Sequence, residues 1–117
     1  MEKKKEKKWK NKKFNIFGDV WRIVFIDQVM DTVGPNGEKG WLFGICDYTN
    51  KLITISLKGP NNKPLCEWEI VTSIAHECMH AILDSGQYKE QSSNEPLVEF
   101  LAKGVLSLTK SKVFDYE

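Results

Sequence analysis

The chain contains 117 residues, of which 41% are hydrophobic and 28% are charged, and its 17 Lys and Arg nearly balance its 16 Asp and Glu. This length allows one compact domain with a sizeable core and leaves no room for two catalytic domains. The composition is that of an ordinary globular protein, and no run approaches the roughly 18 apolar residues of a membrane-spanning helix, so fibrous, wholly disordered and integral membrane proteins are excluded.

The first segment in chain order is basic. Residues 1–13 carry eight Lys and two Glu, whereas residues 14–117 carry nine basic and fourteen acidic side chains. Because a block of like charges repels itself and buries nothing, we expect a disordered tail at 1–13, a single domain at 14–113 and a short C-terminal tail at 114–117. Association with nucleic acid through the Lys-rich tail is an alternative, although no groove-reading motif accompanies the lysines.

Two features predict a cytoplasmic protein. No apolar run of the length found in secretory signals follows the basic residues. The three cysteines, Cys46, Cys66 and Cys78, are odd in number and lack CxxC spacing. We expect them to be reduced thiols that serve as small buried hydrophobes.

Three segments have the composition of strands, rich in β-branched and aromatic residues. Residues 19–26 alternate between two faces, residues 41–48 form a second candidate, and residues 52–57 form a third. The stretch 30–40 contains Gly-Pro-Asn-Gly and predicts a turn, and residues 49–51 predict a short hairpin connection.

The apolar spacing then changes to three and four. Residues 66–85 predict an amphipathic helix whose apolar face includes Trp68, and Gly86 marks its end. After a polar loop at 87–93, Asn94 is a candidate N-cap for a second helix that continues to about Thr109. Strands followed by helices predict an α+β fold: a small three-stranded antiparallel or mixed sheet packed on two long helices.

The chemistry is concentrated in the first helix. The chain has only two histidines, and they bracket Glu77 in the sequence His76-Glu77-Cys78-Met79-His80. Residues four apart lie on one face of a helix, so both imidazoles can reach a single Zn²⁺. Glu77 lies about 100° away around the helix, where it can hold the attacking water as a general base. Cys78, about 200° from His76, faces the core and is not a ligand.

A catalytic zinc usually has three protein ligands, so a third is needed. Glu95 and Glu99 are spaced i, i+4 and project from one side of the second helix. Two helices joined by a short loop run antiparallel, which predicts that at least one of these carboxylates reaches the histidines.

An HExxH motif followed by Asn-Glu-x-x-x-acid resembles the gluzincin class of zinc metallopeptidases, and the short chain is similar to small prophage-type and ImmA/IrrE-like metallopeptidases. The resemblance covers about residues 44–106 and implies a minimal zincin-like fold. It implies that His76, His80 and Glu95 bind zinc, that Glu77 is the general base, and that Glu99 orients a ligand histidine from outside the metal.

The pattern departs from the family at two positions, and the residue that would stabilise the oxyanion is not defined by a motif. There is no third histidine, which excludes a metzincin site, and Glu99 stands where the family usually has Asp. For the oxyanion-stabilising donor, Tyr48 and Tyr88 are the candidates, with Tyr116 and Arg22 as further possibilities.

The sequence therefore predicts a zinc-dependent metallopeptidase that acts on a peptide or protein lying beside the strand at 52–57. A non-catalytic, zinc-stabilised regulatory or binding module is the alternative in a different class.

Overall fold

A computed structural model describes residues 9–115 of the chain. Six strands and three helices follow one another: β1 (Lys12–Ile16), β2 (Asp19–Ile26), β3 (Met30–Val33), β4 (Lys39–Leu42), β5 (Gly44–Asp47), β6 (Leu52–Ser56), α1 (Glu67–Ser85), α2 (Lys89–Ser92) and α3 (Glu95–Lys110). A short 3₁₀ turn at Pro60–Asn62 connects the strands to the helices.

The main sheet has four strands in the order β1-β2-β6-β5. The β1–β2 and β5–β6 pairs are antiparallel, whereas β2 and β6 are parallel, so the sheet is mixed. Strands β3 and β4 form a separate antiparallel hairpin. The predicted α+β class is confirmed, and so is the hairpin at residues 49–51. The prediction of three strands is wrong, since it omitted β1, β3 and β4 as separate strands.

Strand β1 begins inside the segment predicted as a tail. Lys12 and Lys13 are aligned with residues of β2, and Trp9 packs on Phe25 with ring centroids 5.7 Å apart. The Phe25 N–H also donates to the Asn11 side-chain oxygen at 2.9 Å. The ordered fold therefore starts before residue 14, and the rest of the predicted tail, residues 1–8, lies outside the described residues.

The segment 41–48 does not form one strand. Its beginning belongs to β4 and its end to β5, so the chain passes from the hairpin into the main sheet at Phe43. The stretch 30–40, predicted only as a turn, contributes β3 and the start of β4 to this hairpin.

Helix α1 lies between the sheet and α3. On one face, Ile70 and Ala81 are buried against the sheet core. On another, Ala75 and Met79 pack against the fully buried Val98 and Ala102 of α3. A third face, which carries both histidines, is left for a site.

Three residues test the predicted burial. Trp68 is 58% exposed and Cys66 is exposed, so both are wrong as core positions, because the buried stripe runs instead through Ile70. Cys78 packs against the sheet core, as predicted, and its burial raises the pKa of its thiol to about 11.

No helix within residues 9–115 has the combination of length and apolar character that crossing a membrane requires.

Candidate metal centre

The two histidines lie one turn apart on the third face of α1. Their rings are 5.0 Å apart between centroids and meet edge to face. Both histidines lie inside α1 because contacts between neighbouring residues fix where this helix begins and where it ends. The Cys66 N–H donates to the Glu69 carboxylate at 3.1 Å, and α1 ends at Ser85, immediately before Gly86 as predicted.

Glu95, the first residue of α3, faces both imidazoles. One carboxylate oxygen lies 2.8 Å from His76 Nε2 and the other lies 3.2 Å from His80 Nε2. The position of Glu95 follows from a local cap, because the Asn94 side chain accepts the Leu97 N–H at 3.1 Å and starts α3 at this point. Ligand atoms of His76, His80 and Glu95 lie within 4.8 Å of one another, and this group could hold a metal ion.

Each imidazole has a second partner on its other nitrogen. His76 Nδ1 lies 2.9 Å from a Glu99 carboxylate oxygen, and His80 Nδ1 lies 3.0 Å from the Ser92 hydroxyl. When Nδ1 carries the proton and donates it to these oxygens, Nε2 presents its lone pair towards Glu95. Glu99 thus contacts a candidate ligand histidine at the nitrogen that faces away from Glu95.

Ser92 was missed by the sequence reasoning. It is buried at the end of α2, a single-turn helix within the stretch predicted as a polar loop. In the sequence, Ser92 is distinguished only by its position two residues before the N-cap Asn94. That position does not predict a contact with His80, which lies twelve residues earlier.

Glu77 differs from the other carboxylates because it is buried, with 8% of its surface exposed. Its pKa is raised to about 7, mainly by removal from water; His76 opposes this shift and the charge of Glu95 contributes to it. Gly44 packs directly against it. A Cβ added to Gly44 would lie 2.9 Å from Glu77 Cγ, so glycine is required for this approach.

A groove of about 430 Å³ opens over these side chains. It is lined by Trp41, Leu42, Phe43, Gly44, Glu69, Thr72, Ser73, His76, Glu77, His80, Glu95 and Glu99. Four of these residues are glutamates, and none of the lining residues that the structure describes is Lys or Arg. The groove is therefore anionic around the candidate ligands.

Strand β5 is an edge strand whose free side adjoins this groove. The Ser56 N–H donates to the Phe43 carbonyl at 2.9 Å, which places Phe43 and Ser56 in a hydrogen-bonded pair. Because such pairs alternate along an antiparallel ladder, the N–H and C=O of Gly44 and Cys46 point away from β6. The expected peptide position beside residues 52–57 is wrong, since β6 lies between β2 and β5.

The structure does not bring the proposed oxyanion donors to the groove. Tyr48 packs at the sheet core beneath Lys51, whose ammonium lies 3.4 Å from its ring centroid. Tyr88 is 57% exposed at the start of α2, and Arg22 lies exposed on β2. Tyr116 lies outside the described residues.

A comparison of the chain with protein-family models, with curated proteins and with solved structures finds no match. The chemistry of the site therefore has to be inferred from its own geometry.

Proposed function

We propose that the protein is a zinc-dependent metallopeptidase. The observation that carries the proposal is the convergence of His76 Nε2, His80 Nε2 and the Glu95 carboxylate. When His76 Nδ1–H donates its hydrogen bond to Glu99, His76 Nε2 has a lone pair that faces a lone pair of the Glu95 carboxylate oxygen. A cation bound by both atoms would relieve this repulsion. Tetrahedral zinc ligands lie roughly 3.3 Å from one another, close to the 2.8 and 3.2 Å found here.

His76, His80 and Glu95 would hold the ion, with Glu99 and Ser92 orienting the imidazoles. Bound zinc supplies two effects: it lowers the pKa of water and polarises the scissile carbonyl. Two histidines and one glutamate leave a coordination position open, which is the arrangement of catalytic rather than structural zinc sites.

Glu77 acts as the general base. Its carboxylate takes a proton from the attacking water and passes it to the leaving amine. In the metal-free protein the pKa of Glu77 is about 7, mainly because of burial. A bound cation favours the ionised carboxylate, which is the form that accepts a proton from water. Glu77 is next to His76 in the chain but is not one of the candidate ligands.

The free edge of β5 binds the peptide main chain. Gly44 and Cys46 offer N–H and C=O groups that an extended peptide can pair with as an added strand. Because Gly44 adjoins Glu77, a peptide that pairs with Gly44 would have a peptide bond beside the general base.

The test combines metal analysis with peptide hydrolysis. We expect about one equivalent of zinc in purified protein, and hydrolysis of unstructured peptides that chelator abolishes. Glu77→Gln should retain zinc and lose activity, whereas Glu90→Gln, an exposed carboxyl on α2, should keep both. Zinc-free protein, or full activity in Glu77→Gln, would refute the proposal.

One observation favours a second candidate, a non-catalytic module stabilised by zinc. Among the described residues that line the groove there is no Tyr, Arg or third His to stabilise an oxyanion. This candidate predicts zinc bound at full occupancy, a large loss of thermal stability with chelator, and no cleavage of any peptide.

A further inference from the structure

The groove has an apolar wall opposite the charged face of α1. It consists of Trp41, Leu42 and Phe43, which we call the hairpin wall. The Trp41 and Phe43 rings meet edge to face with centroids 4.3 Å apart. Leu42 and Phe43 are each 39% exposed, so this apolar surface is open to a ligand within the groove.

The hairpin wall is formed before any ligand binds. Trp41 is supported from behind by the loop after β6, because a Cβ built on the buried Gly59 would lie 3.5 Å from the Trp41 ring. Phe43 is held at its main chain, where its carbonyl accepts the Ser56 N–H at 2.9 Å. An aromatic surface that is already assembled binds a ligand without first having to be ordered.

The hairpin wall also adjoins the reacting groups. Phe43 directly precedes Gly44, which packs on Glu77. A peptide paired along β5 therefore places a side chain next to the scissile bond against the wall. The opposite side of the groove carries four glutamates. A bound Zn²⁺ offsets two of these charges and the Lys103 ammonium lies 3.9 Å from Glu99, so the remaining charge is still negative and disfavours an acidic side chain.

We propose that the hairpin wall selects the substrate: a large apolar side chain, aromatic or aliphatic, beside the scissile bond is held against Trp41 and Phe43, and acidic side chains are rejected. This inference rests on the proposed peptidase function for its cleavage site. The fit of a peptide side chain to the wall can be measured without cleavage.

The experiment uses capped pentapeptides Ala-Ala-X-Ala-Ala in which X is Phe, Leu, Ala or Glu. Partial burial of a large apolar side chain should raise kcat/KM about tenfold for Phe and Leu over Ala in zinc-loaded protein, with Glu below Ala. Phe43→Ala and Trp41→Ala should each reduce the preference for Phe to less than about threefold. Phe100→Ala, which removes a 74% exposed ring from α3, is the matched control and should keep it.

A second measurement separates this inference from the proposed function. The same peptides are titrated into zinc-loaded Glu77→Gln protein, and binding is followed by NMR of the tryptophan indole groups. The Phe peptide should bind about tenfold more tightly than the Ala peptide, and combining Glu77→Gln with Phe43→Ala should remove the difference.

The outcomes are distinct. If no peptide is cleaved but the binding preference is found and depends on Phe43, the peptidase proposal fails and the ligand selection stands. If the Phe and Ala peptides are bound and cleaved equally, or if both wall variants keep the wild-type preference, the hairpin wall does not select the ligand.

Discussion

Replacing Glu77 with Gln should stabilise the metal-free protein, and the gain should depend on pH. The buried carboxyl has a pKa of about 7 in the folded chain, mainly because burial penalises its charge, against 4.5 as its ordinary value. Between these values the folded state holds a proton that the unfolded state has released. Stability therefore falls as pH rises from 4.5 to about 7, and the full cost is present above that window.

The size of the effect follows from this interval. At about 1.36 kcal/mol for each pH unit, the rise from 4.5 to about 7 corresponds to about 3 kcal/mol of lost stability at pH 8. A glutamine side chain has nearly the same volume as glutamate and no charge, so Glu77→Gln should recover that amount at pH 8 and almost none at pH 4. For a domain of this size, the melting temperature at pH 8 should rise by on the order of 10 °C.

The assay is urea unfolding followed by tryptophan fluorescence, in the presence of chelator, at several pH values from 4 to 8. Chelator is essential because a bound cation favours the ionised carboxylate and hides the effect. Glu90→Gln on the exposed surface of α2 serves as the control and should change little. A stability gain that is equal at pH 4 and pH 8, or absent at pH 8, would show that burial does not govern the protonation of Glu77.

Three further outcomes are expected. Ser92→Ala removes the hydroxyl beside His80 Nδ1 and should weaken zinc binding about tenfold in a competition titration. Ser93→Ala, which removes a hydroxyl that donates to the Lys89 carbonyl, should leave zinc binding unchanged, and equal affinities of the two variants would exclude a positioning role for Ser92. Zinc at a free concentration one hundred times its Kd should raise the free energy of unfolding by about 2.7 kcal/mol, a gain that His76→Ala should eliminate. Val98→Ala, at the fully buried contact between α1 and α3, should cost about 2 kcal/mol in urea unfolding, and a similar loss in the exposed Val113→Ala would contradict this account of the core.

Local signals made the helices and most of the candidate site predictable. The HExxH spacing places both histidines on one helical face whatever the helix packs against. Gly86 and Asn94 mark a helix end and a helix start through their own backbone contacts, so the approach of Glu95 to the histidines followed from two short-range features.

The features that escaped prediction depend on contacts between distant residues. The segment Lys12–Ile16 is short and begins with two lysines, and it becomes a strand because β2 is available to pair with it. The order of strands in the sheet, and hence which strand is the edge, cannot be read from alternation. The break at Phe43 escaped for a related reason, because residues 41–48 keep a strand-like composition while the chain changes sheets.

The contacts of His76 and His80 have a consequence for the turnover of the protein in a cell. They attach α2 and α3 to α1: Glu95 lies at the Nε2 atoms of both imidazoles, Glu99 at His76 Nδ1 and Ser92 at His80 Nδ1. An ion held by His76, His80 and Glu95 would fasten α3, and α2 through Ser92, to α1, so the chain from Lys89 onward would depend on it. When the supply of metal falls, this segment should loosen first and become accessible to cellular proteases, so the abundance of the protein should follow metal availability even at constant synthesis.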